Sequence, residues 1–174
     1  MIVLVAAVVL LTVVSAVHLL ITFALIRRVR ELQEHGAKAP AKDDSLPEAG
    51  KLIGDFSAEL LDGRTFAHAD LADSTVLVGF FAAGCSPCKP VVADLVANPP
   101  AERFVAFVES GDGEDGAKLM ADLEAVAEVA AMSWDSPVSG AFAQQSFPTL
   151  IRVTNGVVAD SGHTRDQLRD LAVR

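Results

Sequence analysis

Cys85 and Cys88 are the only cysteines in this 174-residue chain, and they stand three positions apart in "FFAAGCSPCKP", Phe80 to Pro90. A C-x-x-C that follows an apolar run and opens a helix carries a particular chemistry. Unpaired backbone N–H groups at the helix start, together with the helix dipole, favour an anion at the first sulfur and so populate a nucleophilic thiolate. The second sulfur lies one turn along on the same side, within reach of a disulfide. Pro87 falls in the first turn, where its missing N–H has no partner to lose; Ser86 and Pro87 together support the motif. Other chemistries compete. A purely structural disulfide is disfavoured because so short a loop gains little from closure. Zinc requires a full tetrahedral set, of which two sulfurs supply half, and His18, His35, His68 and His163 do not follow the pair at zinc-finger spacing. A Cu(I) site made by Cys85, Cys88 and His163 stays open as an alternative, as does a scaffold with idle thiols.

The elements that must position the pair can be read on either side of it. Ser74–Ala82, "STVLVGFFA", is a continuous apolar, β-branched and aromatic run, the pattern of a central strand covered on both faces. A helix is expected from about Ser86 to Ala97, closed by Asn98-Pro99-Pro100. Upstream, Asp55–Leu61 and Arg64–Phe66 flank Asp62-Gly63 and predict a short hairpin. Downstream, Arg103–Glu109 reads as a second buried strand, and Glu114–Ala131 as a helix rich in Ala, Leu, Glu and Met. Phe147–Val153 and Gly156–Ala159 read as strands joined at Thr154-Asn155-Gly156, and Thr164 caps a last helix through Leu171. The order predicts an α/β fold: a mixed central sheet flanked by helices on both faces, with an extra N-terminal hairpin. About 120 residues suffice for a core that folds without a staple.

The first 50 residues differ in kind. Met1–Ile26 contains no Lys, Arg, Asp or Glu. As a helix it reaches roughly 39 Å, enough for a hydrocarbon core of about 30 Å. No basic residue precedes it and the apolar run is long, so an uncleaved single-pass transmembrane helix anchored in the lipid bilayer is expected rather than a cleaved signal. Residues 27–50 form a juxtamembrane basic segment and a linker rich in Ala, Pro, Lys and Asp, and the folded domain is expected over 51–174. The cluster Arg27, Arg28 and Arg30 favours a cytoplasmic domain by the positive-inside rule, whereas disulfide handling favours the exported face; the reading leans outward.

Charge is uneven. Residues 1–50 carry five basic and five acidic side chains, so 51–174 hold the whole net charge of −9, nine basic against eighteen acidic. An acidic domain repels phosphate backbones, which argues against nucleic acid as a partner.

The segments "VLVGFFAAGCSPCKP" and "GAFAQQSFPTLIRVTNGVVADSG" resemble the active-site and C-terminal signatures of thioredoxin-like proteins. With "GDFSAELLDGRTF" upstream, the chain resembles the TlpA/ResA/MauD branch of membrane-tethered thiol-disulfide oxidoreductases. The resemblance implies a thiol-disulfide exchange enzyme with Cys85 attacking and Cys88 resolving, and with no cofactor beyond the redox-active Cys85–Cys88 disulfide and no metal. It implies a cis peptide at Phe147-Pro148, with Phe147, Pro148 and Thr149 flanking a substrate groove. Protein thiols and disulfides would be the substrates, and a membrane electron-transfer or thiol-reductant protein the partner. Three departures stand out. Gly84 replaces the usual aromatic before the first cysteine, and Gly79 and Val91 occupy the positions where relatives carry a carboxylate. The group that takes the proton from Cys88 is thus unassigned.

Overall fold

A computed structural model of the chain describes residues 14, 15, 18, 45–109 and 114–168, and divides the chain into two units, Met1–Asp43 and Asp44–Arg174. In the first unit, Val14, Ser15 and His18 are helical, and His18 Nδ1 lies 3.1 Å from the Val14 carbonyl. The expected membrane helix over Met1–Ile26 otherwise lies outside the described residues, as does the basic segment. Among the described residues no helix is long and apolar enough to cross a membrane.

The second unit is built on five strands in the order β5-β4-β3-β6-β7. They are β3 (Thr75–Ala82), β4 (Arg103–Glu109), β5 (Glu128–Met132), β6 (Thr149–Thr154) and β7 (Val157–Gly162). β3, β4 and β5 run parallel, while β6 is antiparallel to β3 and to β7. Two crossover helices, α1 (Cys88–Ala97) and α2 (Glu114–Glu124), supply the long connections that parallel pairing requires. The predicted hairpin is present as β1 (Ser57–Glu59) and β2 (Thr65–Ala67), an antiparallel pair of its own.

Side chains alternate across β3 as a strand covered on both faces requires. Val76, Val78 and Phe80 enter one core with Phe56, Phe66, Phe107 and Phe142. Leu77 and Phe81 enter the other, with Cys88, Val92 and Leu95 of α1 and Leu123 of α2. The first core is aromatic: the Phe80 and Phe107 rings stack at 5.3 Å, and the Phe80 and Phe142 rings meet edge-on at 5.4 Å.

The structure corrects four readings. The helix expected over Glu114–Ala131 ends at Glu124, and Glu128–Met132 is instead a fifth strand on the open edge of β4. Its Ala and Met residues favour a helix locally, but burying Val129 and Ala130 against β4 outweighs that preference. A further helix, α3 (Pro137–Phe142), follows, with Ser136 as N-cap accepting from the Ser139 N–H and Pro137 at the first position. The helix expected from Thr164 is a 3₁₀ turn over Arg165–Gln167, and 169–174 lie outside the described residues. Finally, Ser45–Gly50, read as linker, belongs to the folded unit. The Gly50 N–H donates to the Val158 carbonyl at 2.8 Å, and the Ser161 hydroxyl to the Pro47 carbonyl at 2.7 Å.

A charged cluster pins the hairpin side of the edge strand. Arg103 donates two hydrogen bonds to Glu128, at 2.7 and 3.0 Å, and Arg64 approaches the same carboxylate at 3.0 Å. The Arg103 hydrogen bond, working against burial, sets the Glu128 carboxyl below its ordinary range. A depressed carboxylate stabilises the fold at neutral pH and loses that contribution as pH falls through its folded value. Glu128→Gln is expected to cost about 1 kcal/mol in urea unfolding at pH 7, with the gap to the parent chain closing as acid protonates the carboxylate. A chain begun at Lys51 is expected to melt several degrees below one begun at Asp44, as followed by circular dichroism, because it lacks the bonds to β7.

Candidate active site

The C-terminal ends of β3, β4 and β5 and the start of β6 lie together. Ala82 pairs with Glu109, Glu109 with Met132, and Phe80 with Thr149. Loops leaving this rim carry the cysteine pair, Trp134, the Phe147-Pro148 turn and, from β7, His163. A rim of this sort, at the carboxyl ends of parallel strands, is where open α/β sheets place their ligands.

Cys85 and Cys88 are joined in a disulfide with their Cα atoms 5.3 Å apart. Gly84, at a φ of +74°, turns the chain out of β3 in a conformation that favours glycine. The helix was expected to begin at about Ser86; it begins at Cys88, with Pro87 as N-cap. Cys85 therefore precedes the helix, and the Cys88 N–H points back to it, 3.2 Å from Cys85 Sγ. In this oxidised form that sulfur occupies the place of the thiolate. The N–H and the helix start behind it favour negative charge there once the bridge opens. The two sulfurs differ in access: Cys85 is half-buried, whereas Cys88 is 1% exposed within the α1 core. Ser86 and Pro87 are exposed on the turn between them.

Opposite the turn, the Phe147-Pro148 peptide is cis, as the resemblance implied. Pro87 and Pro90 border the same cavity, of about 670 Å³, as Phe147, Pro148 and His163. A buried polar network holds this segment. Ser139 Oγ donates to Gln144 Oε1 at 3.1 Å, and Gln144 Nε2 donates to the Ser146 carbonyl at 2.6 Å. Thr149 Oγ1 donates to that carbonyl at 2.8 Å. Thr149 is fully buried, so it shapes the groove from behind instead of flanking it. Among the described residues, neither the N–H nor the C=O of Phe147 has a hydrogen-bond partner within the protein.

His163 Nδ1–H donates to the Pro148 carbonyl at 2.7 Å, and Nε2 lies 3.5 Å from Ser45 Oγ. The imidazole therefore serves the turn. Among the described residues no group of three His, Cys, Asp or Glu side chains is placed to hold a metal, so the Cu(I) set of Cys85, Cys88 and His163 is not assembled.

Three contributors escaped sequence reasoning. Gln144 and Ser45 gave no local signal, since their partners lie beyond any periodic pattern. Trp134, which stands in no motif, meets the Phe147 ring edge-on at 5.3 Å.

The absent carboxylate has a steric explanation at position 79. A Cβ there would lie 2.7 Å from the Phe81 ring and 3.0 Å from that of Phe104, so a side chain at this position forces the rings to shift. Two acidic side chains of α2 line a cavity that also borders the pair. Asp115 and Asp122 share a cavity of about 830 Å³ with Cys88 and Val92 of α1, and Asp122 is paired with Lys118 at 2.8 Å.

The fold and site define a thioredoxin-like α/β domain carrying an oxidised C-x-x-C. No protein-family model matches the chain, and no curated protein matches it in sequence. Solved structures do. The thioredoxin domain of a thiol-disulfide oxidoreductase from Bacteroides vulgatus superposes with a TM-score of 0.58 at 21% identity, over 70% of this chain and 92% of that one. A thiol:disulfide interchange protein from a Bacteroides species gives 0.54 at 22% identity, over 67% and 82%. A secreted disulfide oxidoreductase of Mycobacterium tuberculosis gives 0.50 at 16%, over 66% and 87%.

Gly79→Ala is expected to destabilise the domain by about 1–3 kcal/mol through overpacking against the two rings, measured by denaturant unfolding at unchanged disulfide content.

Proposed function

We propose that this chain is a thiol-disulfide oxidoreductase that exchanges disulfides with partner proteins through Cys85 and Cys88. The observation that carries the reading is the asymmetric pair: a bridged C-x-x-C at the rim, with Cys85 reachable and Cys88 sealed behind it. The solved structures of like fold that are named as oxidoreductases support it.

In the oxidising direction a partner thiolate attacks Cys85 Sγ. A new S–S bond forms, the Cys85–Cys88 bond breaks, and Cys88 leaves as a thiolate that takes a proton. A second partner thiolate then attacks the partner's bridged sulfur and displaces Cys85. The partner is oxidised by two electrons and the pair is reduced to the dithiol. The reverse sequence reduces a partner disulfide: the Cys85 thiolate attacks, and Cys88 resolves the mixed disulfide. Reach explains the division of labour, because only the outer sulfur meets a partner and only the buried one is held against it.

The groove supplies orientation. The open N–H and C=O of Phe147 offer an extended partner segment two strand-like hydrogen bonds, as in β-augmentation. The Ser139–Gln144–Ser146–Thr149 network keeps that backbone in place before a partner arrives.

The finer reading is that the enzyme is membrane-tethered. Met1–Ile26 would be the lipid anchor, residues after it the linker, and the redox domain would stand on the exported face, served by a membrane electron-transfer or thiol-reductant protein. The apolar, uncharged composition of Met1–Ile26 supports the anchor. Arg27, Arg28 and Arg30 pull the other way on orientation, which an alkaline phosphatase fusion after Gly50 decides.

Reduced Cys88→Ser protein is expected to accumulate a dithiothreitol-sensitive mixed disulfide with insulin while turnover is lost. Cys85→Ser is expected to trap none. Equal trapping by both variants, or by neither, overturns the assignment.

A further inference from the structure

We propose that Trp134 and Phe147 form an aromatic recognition surface that selects partner segments carrying a bulky apolar side chain next to the reactive cysteine. The proposal rests on the exchange reading above and adds a substrate preference to it.

Trp134 is the only tryptophan in the chain. It lies two residues past Met132, the last residue of β5, on the rim where Ala82 ends β3. β5 is separated from β6 by β4 and β3, so the connection between them must cross the ends of those two strands. Trp134 lies on that crossing and meets Phe147 edge-on, centroid to centroid at 5.3 Å. Phe147 packs in turn against the core that holds Cys88 and the partly buried Cys85. One aromatic surface thus extends from the crossing loop to the residue beside the cysteine turn.

This surface is not spent on folding. Trp134 is 42% exposed, and among the described residues its indole N–H has no partner within the protein. A large amphipathic ring left half in water loses hydrophobic stabilisation that a partner can restore, and tryptophan is among the side chains most enriched at binding hot spots. Of the two residues between the sulfurs, Ser86 is polar and Pro87 alone adds exposed apolar surface.

Backbone geometry specifies the occupant. The unpaired N–H and C=O of Phe147 accept an extended segment, and such a segment has its side chains on alternating faces. The residue opposite Phe147 brings its Cβ about 4.5–5.5 Å from that of Phe147, which places it against the aromatic pair. The segment is also fixed by its cysteine, which must reach Cys85 Sγ. The side chain read by Trp134 and Phe147 therefore belongs to a close neighbour of that cysteine. The occupant is an extended, cysteine-bearing partner segment with an apolar neighbour.

The test uses the full-length chain, reduced with dithiothreitol, and two disulfide-bridged peptides identical except for Leu or Asp flanking the cysteine. The parent chain is expected to reduce the Leu peptide with about tenfold higher kcat/KM. In Trp134→Ala the ratio is expected to fall within about twofold of unity, and in Trp134→Phe to remain well above it. Reduction of hydroxyethyl disulfide, which carries no amino-acid side chain, by the pre-reduced chains freed of dithiothreitol is expected to stay unchanged in both variants. A parent chain that reduces both peptides equally overturns this proposal and leaves the exchange reading standing, as does a Trp134→Ala chain that keeps the full ratio. A parent chain that reduces neither peptide nor hydroxyethyl disulfide overturns both.

Discussion

The antiparallel pairing of β3 with β6 is the constraint on which this site depends. It sets Phe80 opposite Thr149, so that the segment leaving β3 and the segment entering β6 meet at one end of the sheet although some sixty residues separate them in the chain. Everything that makes two sulfurs more than a short bridge is placed by that register. A slip of one residue would turn Phe80 out of the aromatic core and bring Thr149 to the opposite face, because side chains alternate with a period of two. The packing of Phe80 among Phe107 and Phe142 therefore does more than stabilise the fold; it sets the alignment of the reactive rim.

The two faces of the sheet divide their tasks. One face, under β1, β2 and α3, is a dense aromatic cluster that holds the strands in place. The other, under α1 and α2, contains Cys88 itself. Placing the second sulfur inside a core shields it from partners and leaves a single point of entry at Cys85. Phe81 and Phe104 of the same core crowd position 79, where the resemblance led to the expectation of a carboxylate. Asp115 and Asp122 of α2 line the cavity between α1 and α2 that also borders the pair.

Sequence alone made the centre of this molecule legible. The β3 run, the β4 run, the hairpin at Asn155-Gly156 and the cysteine pair are strong local signals that also agree with the global arrangement. Glu128–Met132 was hidden because its local preference is helical and only its neighbour makes it a strand. The helix at Pro137 carried a legible start, Ser136-Pro137, but is short enough to pass for a turn. Thr149 was placed in the groove by its position in a motif and proves to be buried behind it, since a motif carries adjacency in the chain and not the direction of a side chain. Ser45 and Trp134 act through contacts with other segments, which no period or spacing encodes, and Gln144 through bonds to Ser139 and Ser146 that follow no helical or strand repeat.

The stretch Ser45–Gly50 gives the domain a direction. Ser45 borders the cavity beside Pro148 and lies close to His163, so the chain departs toward its N-terminus from the same pole that bears the sulfurs. A partner that approaches the sulfurs therefore meets the first residues of the domain as part of the same face, and whatever crowds Ser45 also narrows the way to Cys85.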